Sequence, residues 1–263
     1  MTRPVLAALL LLCTAGPVLA QAGETPPAPT QQDPEAVYQE LARALNKAIS
    51  EWRQEAIKAV KAAQESGAAD IPAIAMRPPT KEFIDRALAL ASDHAGTDAA
   101  VPFLAFVLKN ANDEHAAVKQ ALKTLWADHS ASAAIGKALA HVIGAGFQHD
   151  AQQEVEALLD AVIEDNADVD VKAQALITRG NLHLQIAEND RQRAAAATDI
   201  RKAASMTKNE EVLQQAKDAL FEIEHLLVGC TAPDIVAKDT DGVDFKLSDY
   251  RGKVILLDFW GFW

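Results

Sequence analysis

Over residues 33–228 apolar positions recur at intervals of three and four, and from Gly229 onward that recurrence stops. Val37, Leu41, Leu45, Ile49, Trp52, Ala56 and Val60 follow steps of 4, 4, 4, 3, 4 and 4, the spacing of one face of an α-helix. Asp33 and Pro34 supply an N-cap and a proline at the first helical position, and Gly67 supplies a stop. Residues 71–79 form a proline-rich connector. The next helix is capped by Thr80, turns Phe83, Ile84, Ala87, Leu88 and Ala91 inward, and stops at Gly96. Residues 98–110 hold Phe103, Leu104, Phe106, Val107 and Leu108, apolar on most sides, which predicts a central buried helix. Further helices are predicted over 112–129, 132–143 (ended by Gly144 and Gly146), 150–165, about 169–188, 191–206 and 209–228.

Helices of this length with short breaks predict stacked hairpins. The expected fold class is mainly α, with a helical-hairpin solenoid over 33–228. Within it, Ala175, Leu176, Gly180 and Leu182 fall on one helix, and Ala195, Ile200 and Ala203 on the next. This stretch, 173–206, is similar in a degenerate way to a tetratricopeptide repeat.

The first twenty residues carry Arg3, the apolar run at 5–12 and Val18-Leu19-Ala20. They read as a signal peptide cleaved before Gln21, which predicts export to the periplasm or another extracytoplasmic space. A lipidated Cys13 ranks below this, because Leu12 stands where a small residue is expected. Residues 21–32, with three prolines, form a flexible linker.

Charge narrows the partners. Lys and Arg total 25 against 37 Asp and Glu, a net −12, so nucleic acid is excluded as a natural partner. Two cysteines rule out a disulfide-stapled scaffold, and cleavage after Ala20 leaves Cys230 alone. No internal apolar run reaches the ~18 residues of a membrane span. Histidines at 94, 115, 129, 141, 149, 183 and 225 show no metal-ligand spacing, and His141 and His149 lack further ligands. They read as ordinary surface or half-buried residues. Asp165-Asn166-Ala167-Asp168 and Asp199 lack the calcium-loop pattern and read as solvated turns. No cofactor or metal is expected.

The last 35 residues read as extended chain. Asp241-Gly242 is a turn between 234–238 and 243–247, which predicts a β-hairpin. Residues 248–252 make a second turn, and Val254-Ile255-Leu256-Leu257 suits a strand buried on both faces. In order and spacing, Gly229-x-x-Ala232-Pro233-Asp234, Asp241-Gly242, the run from Leu247 through Gly252 to Lys253, and the run from Val254 to Trp263 resemble a known family. They resemble the start of extracytoplasmic thioredoxin-like proteins, the TlpA-like thiol–disulfide oxidoreductases and their redoxin (AhpC-TSA-type) cousins. The resemblance covers about an eighth of the chain.

This resemblance implies that 229–263 is the incomplete start of a thioredoxin-like α/β domain, comprising its N-terminal hairpin and first core strand. Ala232, Pro233, Asp234, Gly242, Leu247, Gly252, Phe259, Trp260 and Trp263 are then structural positions of the family motif. In the family, Phe-Trp-Ala-x-Trp leads into Cys-x-x-Cys; here Phe259-Trp260-Gly261-Phe262-Trp263 stands in that place. The expected nucleophile would follow Trp263, so no catalytic residue is assigned and the chain as written is expected to be inactive. The strand at 254–260 would lack sheet neighbours. A selenocysteine UGA read as a stop is the leading explanation, against a fragment, a frameshift or a pseudogene. Cys230 is either a peroxidatic or resolving thiol or a tolerated free cysteine at the domain junction, and the second reading is preferred. The implied function is an exported thiol–disulfide oxidoreductase or thiol peroxidase acting on protein thiols, disulfides or peroxide. The alternative is a helical-repeat module that binds a protein partner without catalysis.

Overall fold

The apolar stripe at the start of the chain folds as α1 (Pro34–Ser66), a helix long enough to run well past the core it joins. The structure, a computed structural model, describes residues 33–66 and 77–261. The signal peptide, the linker 21–32, Gly67, most of the 71–79 connector, Phe262 and Trp263 lie outside the described residues. In α1 only Val37, Leu41, Leu45 and Ala63 are buried. Ile49, Trp52, Ala56 and Val60 continue the stripe but are half-buried.

Eight further helices follow among the described residues: α2 (Lys81–Asp93), α3 (Ala100–Asn110), α4 (His115–His129), α5 (Gly136–Gln148), α6 (Gln152–Asp165), α7 (Val169–Gln185), α8 (Asp190–Met206) and α9 (Glu210–Phe221). The last continues as a π-turn over Glu222–Leu226. The chain is mainly α; α2 packs on α3, α6 on α7 and α8 on α9, while α4 packs on α3 and α6. Alternate helices stack on one another, α3 on α5, α5 on α7 and α7 on α9. As its composition predicts, α3 is central, with eight of its eleven residues buried. Tyr38 of α1 sets its ring edge-on to Phe103 and Phe106, at 6.1 and 6.2 Å between centroids.

A period of 34 residues runs through the turns. Thr80 donates its hydroxyl to Glu114 and Ser132 donates to Asp98, each 34 residues apart. His115 meets His149, and Asn166 donates to the carbonyl of Ser132, again 34 apart. The closest-packed pair is α7 and α8, where a Cβ on Gly180 would stand 2.6 Å from Ile200 Cγ1 and 2.9 Å from the Ala196 carbonyl oxygen. The expected packing residues of this pair are buried except Ala195, which faces solvent; Ala196 and Ala197 take its place.

Several ends differ from the sequence expectation. Thr80 makes no cap: its hydroxyl goes to Glu114 instead. α5 runs through Gly144 and Gly146 to Gln148, because Gly146 lies flat against Val155 of α6, where a Cβ would meet Val155 Cγ2 at 3.0 Å. Asn166 is not a solvated turn residue. It is 1% exposed and donates to the carbonyls of Ser130 and Ser132 at 2.9 Å. His129 and His149 are fully buried, where surface or half-buried positions were expected. Asp168, Asn189 and Asn209 cap α7, α8 and α9 by accepting from backbone N–H groups of the first turn.

Beyond Ala219 no described residue is buried. The predicted hairpin forms as β1 (Val236–Lys238) and β2 (Asp244–Lys246), antiparallel with Ala237 opposite Phe245. The core strand expected at 254–260 does not form. That stretch is irregular, with Leu256 92% and Phe259 83% exposed. A strand makes its hydrogen bonds only with a neighbour, and among the described residues no strand pairs with this stretch.

Candidate functional site

The hairpin is built from polar side chains that fold back onto its backbone. Asp239 accepts from the backbone N–H groups of Asp241 and Val243, both at 2.9 Å, and Gly242 takes φ +81°. Only a residue tolerant of the left-handed region closes this turn. At the open end, Asp234 accepts from the Ser248 backbone N–H at 2.8 Å and from its hydroxyl at 2.9 Å. These two bonds hold the Asp234 carboxyl below its usual range, although it is fully exposed. The Leu247 N–H donates to the Ile235 carbonyl at 2.9 Å. A 3₁₀ turn, Leu247–Tyr250, follows, and Asp249 accepts from the Lys246 N–H at 3.0 Å. Gly252 takes φ +85° and closes the second turn.

Thr231, Pro233, Ser248, Tyr250, Lys253 and Ile255 line a shallow groove of about 230 Å³. The Tyr250 ring lies edge-on to Phe245 at 6.4 Å, with Lys253 Nζ 5.7 Å from its centroid. Of the motif positions, Ala232, Pro233, Asp234 and Leu247 come together at this end of the hairpin. Gly242 and Gly252 sit in the two turns, Phe259 and Trp260 lie on the exposed stretch, and Trp263 is outside the described residues.

Cys230 lies apart from that groove. Its N–H donates to the Leu227 carbonyl at 3.0 Å, and its thiol reaches the Ile223 carbonyl at 3.6 Å. It is exposed at one end of a 440 Å³ cleft shared with Arg193 and Arg201 of α8. Both guanidiniums are engaged, Arg193 with Asp190 and Arg201 with Glu224, each at 2.9 Å. A thiolate gains most from an uncommitted neighbouring cation, and neither arginine is one.

The helical region holds polar contacts that sequence reading did not find. Arg179 of α7 forks onto Asp199 of α8, at 2.8 and 2.9 Å, and reaches Asp160 of α6 at 2.6 Å. The bonds to Asp199 raise its already high pKa further. His115 and His149 face each other through their Nδ1 atoms at 3.0 Å. The repeat period of 34 is the signal that pairs them, and it becomes visible once the turns are aligned. A groove of about 570 Å³ runs along α5, α7 and α9, lined by Ile143, Ile177, Asn181, Leu184, Gln215 and Asp218 among others. Among the described residues no three His, Cys, Asp or Glu side chains are grouped to hold a metal ion. No described helix is long and apolar enough to cross a membrane.

No protein-family model matches the chain, and no solved structure matches it. Curated relatives match locally. The chain is 56% identical over 36 residues to the thiol-disulfide oxidoreductase ResA of Geobacillus thermodenitrificans (strain NG80-2), covering 14% of this chain and 21% of the relative. It is 58% identical over 36 residues to ResA of Geobacillus kaustophilus (strain HTA426), with the same coverage. With ResA of Bacillus subtilis (strain 168) it is 45% identical over 40 residues, 15% of this chain and 22% of the relative. The chain thus spans about a fifth of the length of the relatives it matches. This short similarity supports a thioredoxin-like relationship for that stretch of the chain.

Proposed function

We propose that the chain belongs to an exported thiol–disulfide oxidoreductase, or thiol peroxidase, with a TlpA-like thioredoxin domain placed after a helical-repeat domain. The local identity to thiol-disulfide oxidoreductases carries this reading. The exposed apolar stretch with Val254, Leu256 and Phe259 supports it, since such a run suits a central strand flanked on both sides. In this reading the hairpin and the Asp234–Ser248 clasp frame the entry to the domain, and Cys230 is a bystander.

The reaction needs a nucleophile beyond the residues described. A thiolate, or a selenolate if the next codon is a UGA for selenocysteine, attacks one sulfur of a substrate disulfide. A mixed bond forms and the other substrate sulfur leaves as a thiolate. A second thiol two residues on then attacks the mixed bond, releasing the reduced substrate and oxidising the protein. A helix N-terminus beneath the first residue favours its anionic form.

Two measurements test this reading together. The gene is sequenced past codon 263, and insulin reduction is assayed for the 263-residue chain and for the extended product. A continuation encoding the nucleophile, x-x-Cys and a thioredoxin-like remainder, with activity confined to the extended product, is the expected result. Absence of such a continuation in every frame overturns it.

A second reading, a protein-binding solenoid, is favoured by the groove along α5, α7 and α9. It predicts that residues 33–228 alone hold a partner, and that Leu184→Glu at the half-buried groove wall abolishes the hold.

A further inference from the structure

Most turns between the helices are clasped by carboxylates, amides and hydroxyls, but the start of α4 and the end of α5 are clasped by two imidazoles. His115 is the first residue of α4 and is exposed; His149 directly follows α5 and is 1% exposed. Their Nδ1 atoms are 3.0 Å apart, and the rings meet at 68° with centroids 4.9 Å apart. At that distance one nitrogen donates and the other accepts, so the contact holds one proton and not two. His149 Nε2 is buried with no hydrogen-bond partner. A second proton on the pair sets two N–H groups against each other at that contact.

The surroundings decide how the pair responds to acid. From the α3–α4 loop, Asp113, Glu114 and the Ala111 carbonyl face His149 and favour its charged form. Both carboxylates are already engaged. Glu114 accepts from the Thr80 hydroxyl and the Asn112 N–H, and Asp113 pairs with Arg77. From α6, Glu154 is paired with Lys119 of α4 at 3.6 Å. On α5 itself His141 faces Lys109. Burial first, and the His115 ring second, outweigh the acids and hold His149 below the ordinary imidazole value of 6.5. The chain after His149 is taut: Asp150 takes φ +50°, and the Ala151 N–H turns back to the Gly146 carbonyl at 2.8 Å.

We propose that the His115–His149 contact is an acid-released latch, tying the start of α4 to the end of α5 at neutral pH and opening the turn into α6 in acid. The sign follows from linkage. A base whose folded pKa is lowered contributes fully above its unfolded value, and that contribution is lost as pH falls from about 6.5 through the folded value. The latch therefore holds at neutral pH and gives way in mild acid.

The test follows both imidazoles of the full chain by nitrogen-detected NMR between pH 8 and 4.5, with hydrogen exchange at the Ala151 amide corrected for intrinsic rate. His149 is expected to gain its proton only below pH 6.5. Ala151 protection should fall about tenfold between pH 7 and pH 5. In His115→Asn, at an exposed position, His149 should titrate at higher pH and the loss of Ala151 protection should shrink to about twofold. A wild-type His149 that titrates at or above 6.5 overturns the latch, and that measurement needs no variant. Ala151 protection that follows the same course with pH in His115→Asn as in wild type overturns it equally.

Discussion

The helical hairpins and the segment after Gly229 are both rich in apolar residues, yet they end in opposite states. In α3, Phe103, Leu104 and Val107 are buried within one element of eleven residues. In the stretch 254–260, Val254, Leu256 and Phe259 have comparable apolarity and stand in solvent. A helix satisfies its backbone within itself, and then needs only one face covered by a neighbour. A strand satisfies nothing by itself and needs flanking strands in place. Where the neighbours are local in sequence, as in β1 and β2, pairing occurs; where no described strand lies alongside, the apolar run stays open.

The comparison is broken most directly in the core. Phe103→Ala should cost about 3–5 kcal/mol in urea unfolding, because Phe103 is fully enclosed between Tyr38 and His94. Leu256→Ala should change stability by less than about 0.5 kcal/mol. Equal losses at the two sites would mean that the exposed stretch is packed in solution.

Glycines sharpen the contrast within the helices. Gly180→Ala should destabilise by about 1–3 kcal/mol, since its Cβ meets Ile200 and the Ala196 carbonyl. Gly144→Ala meets nothing within 4 Å and should stabilise by about 0.5–1 kcal/mol through helix propensity. Thermal melts of the two variants should move in opposite directions.

Arg179→Met removes the fork that joins α6, α7 and α8. Asp199 is left half-buried without its partner, at a cost of about 1–3 kcal/mol. The double variant with Asp199→Leu should recover part of that loss; no recovery in a double-mutant cycle would mean that the fork carries no coupling.

Removing residues 229–263 should shift the urea midpoint of the helices by an equivalent of less than about 0.5 kcal/mol. It should also lower the binding of a hydrophobic dye. A loss of helical stability would show that the segment packs on α9 more firmly than its exposure indicates.

The smallest effect concerns Asp234. Its folded carboxyl is held low by Ser248, so the clasp is present above the ordinary value of 3.8 and is lost as pH falls through the folded value. Ser248→Ala removes the hydroxyl bond but keeps the backbone one, so it should move the Asp234 titration part of the way toward 3.8 in NMR. An unchanged titration would leave the Ser248 backbone N–H, which the substitution keeps, as the cause.

The nine helices among the described residues were legible because the three-to-four spacing that buries a face is a property of consecutive residues. Leu41, Leu122, Leu158 and Ile200 are all buried as that spacing predicts. The hairpin was legible for a related reason: Asp239, Asp241 and Gly242 make its turn from neighbouring residues alone. The motif positions Ala232, Pro233 and Asp234 were also readable, since they stand in fixed local order.

Relations between distant residues were decided by tertiary structure alone. Thr80 has the sequence of a cap, but Glu114, 34 residues away, takes its hydroxyl. Gly146 has the sequence of a stop, but Val155 makes it a packing site inside α5. His115 and His149 carry no shared motif, and only the stacking of repeats brings their nitrogens to 3.0 Å. The run from Val254 shows the same limit from the other side: its sequence specifies a strand, but a strand exists only where a neighbouring backbone offers donors and acceptors.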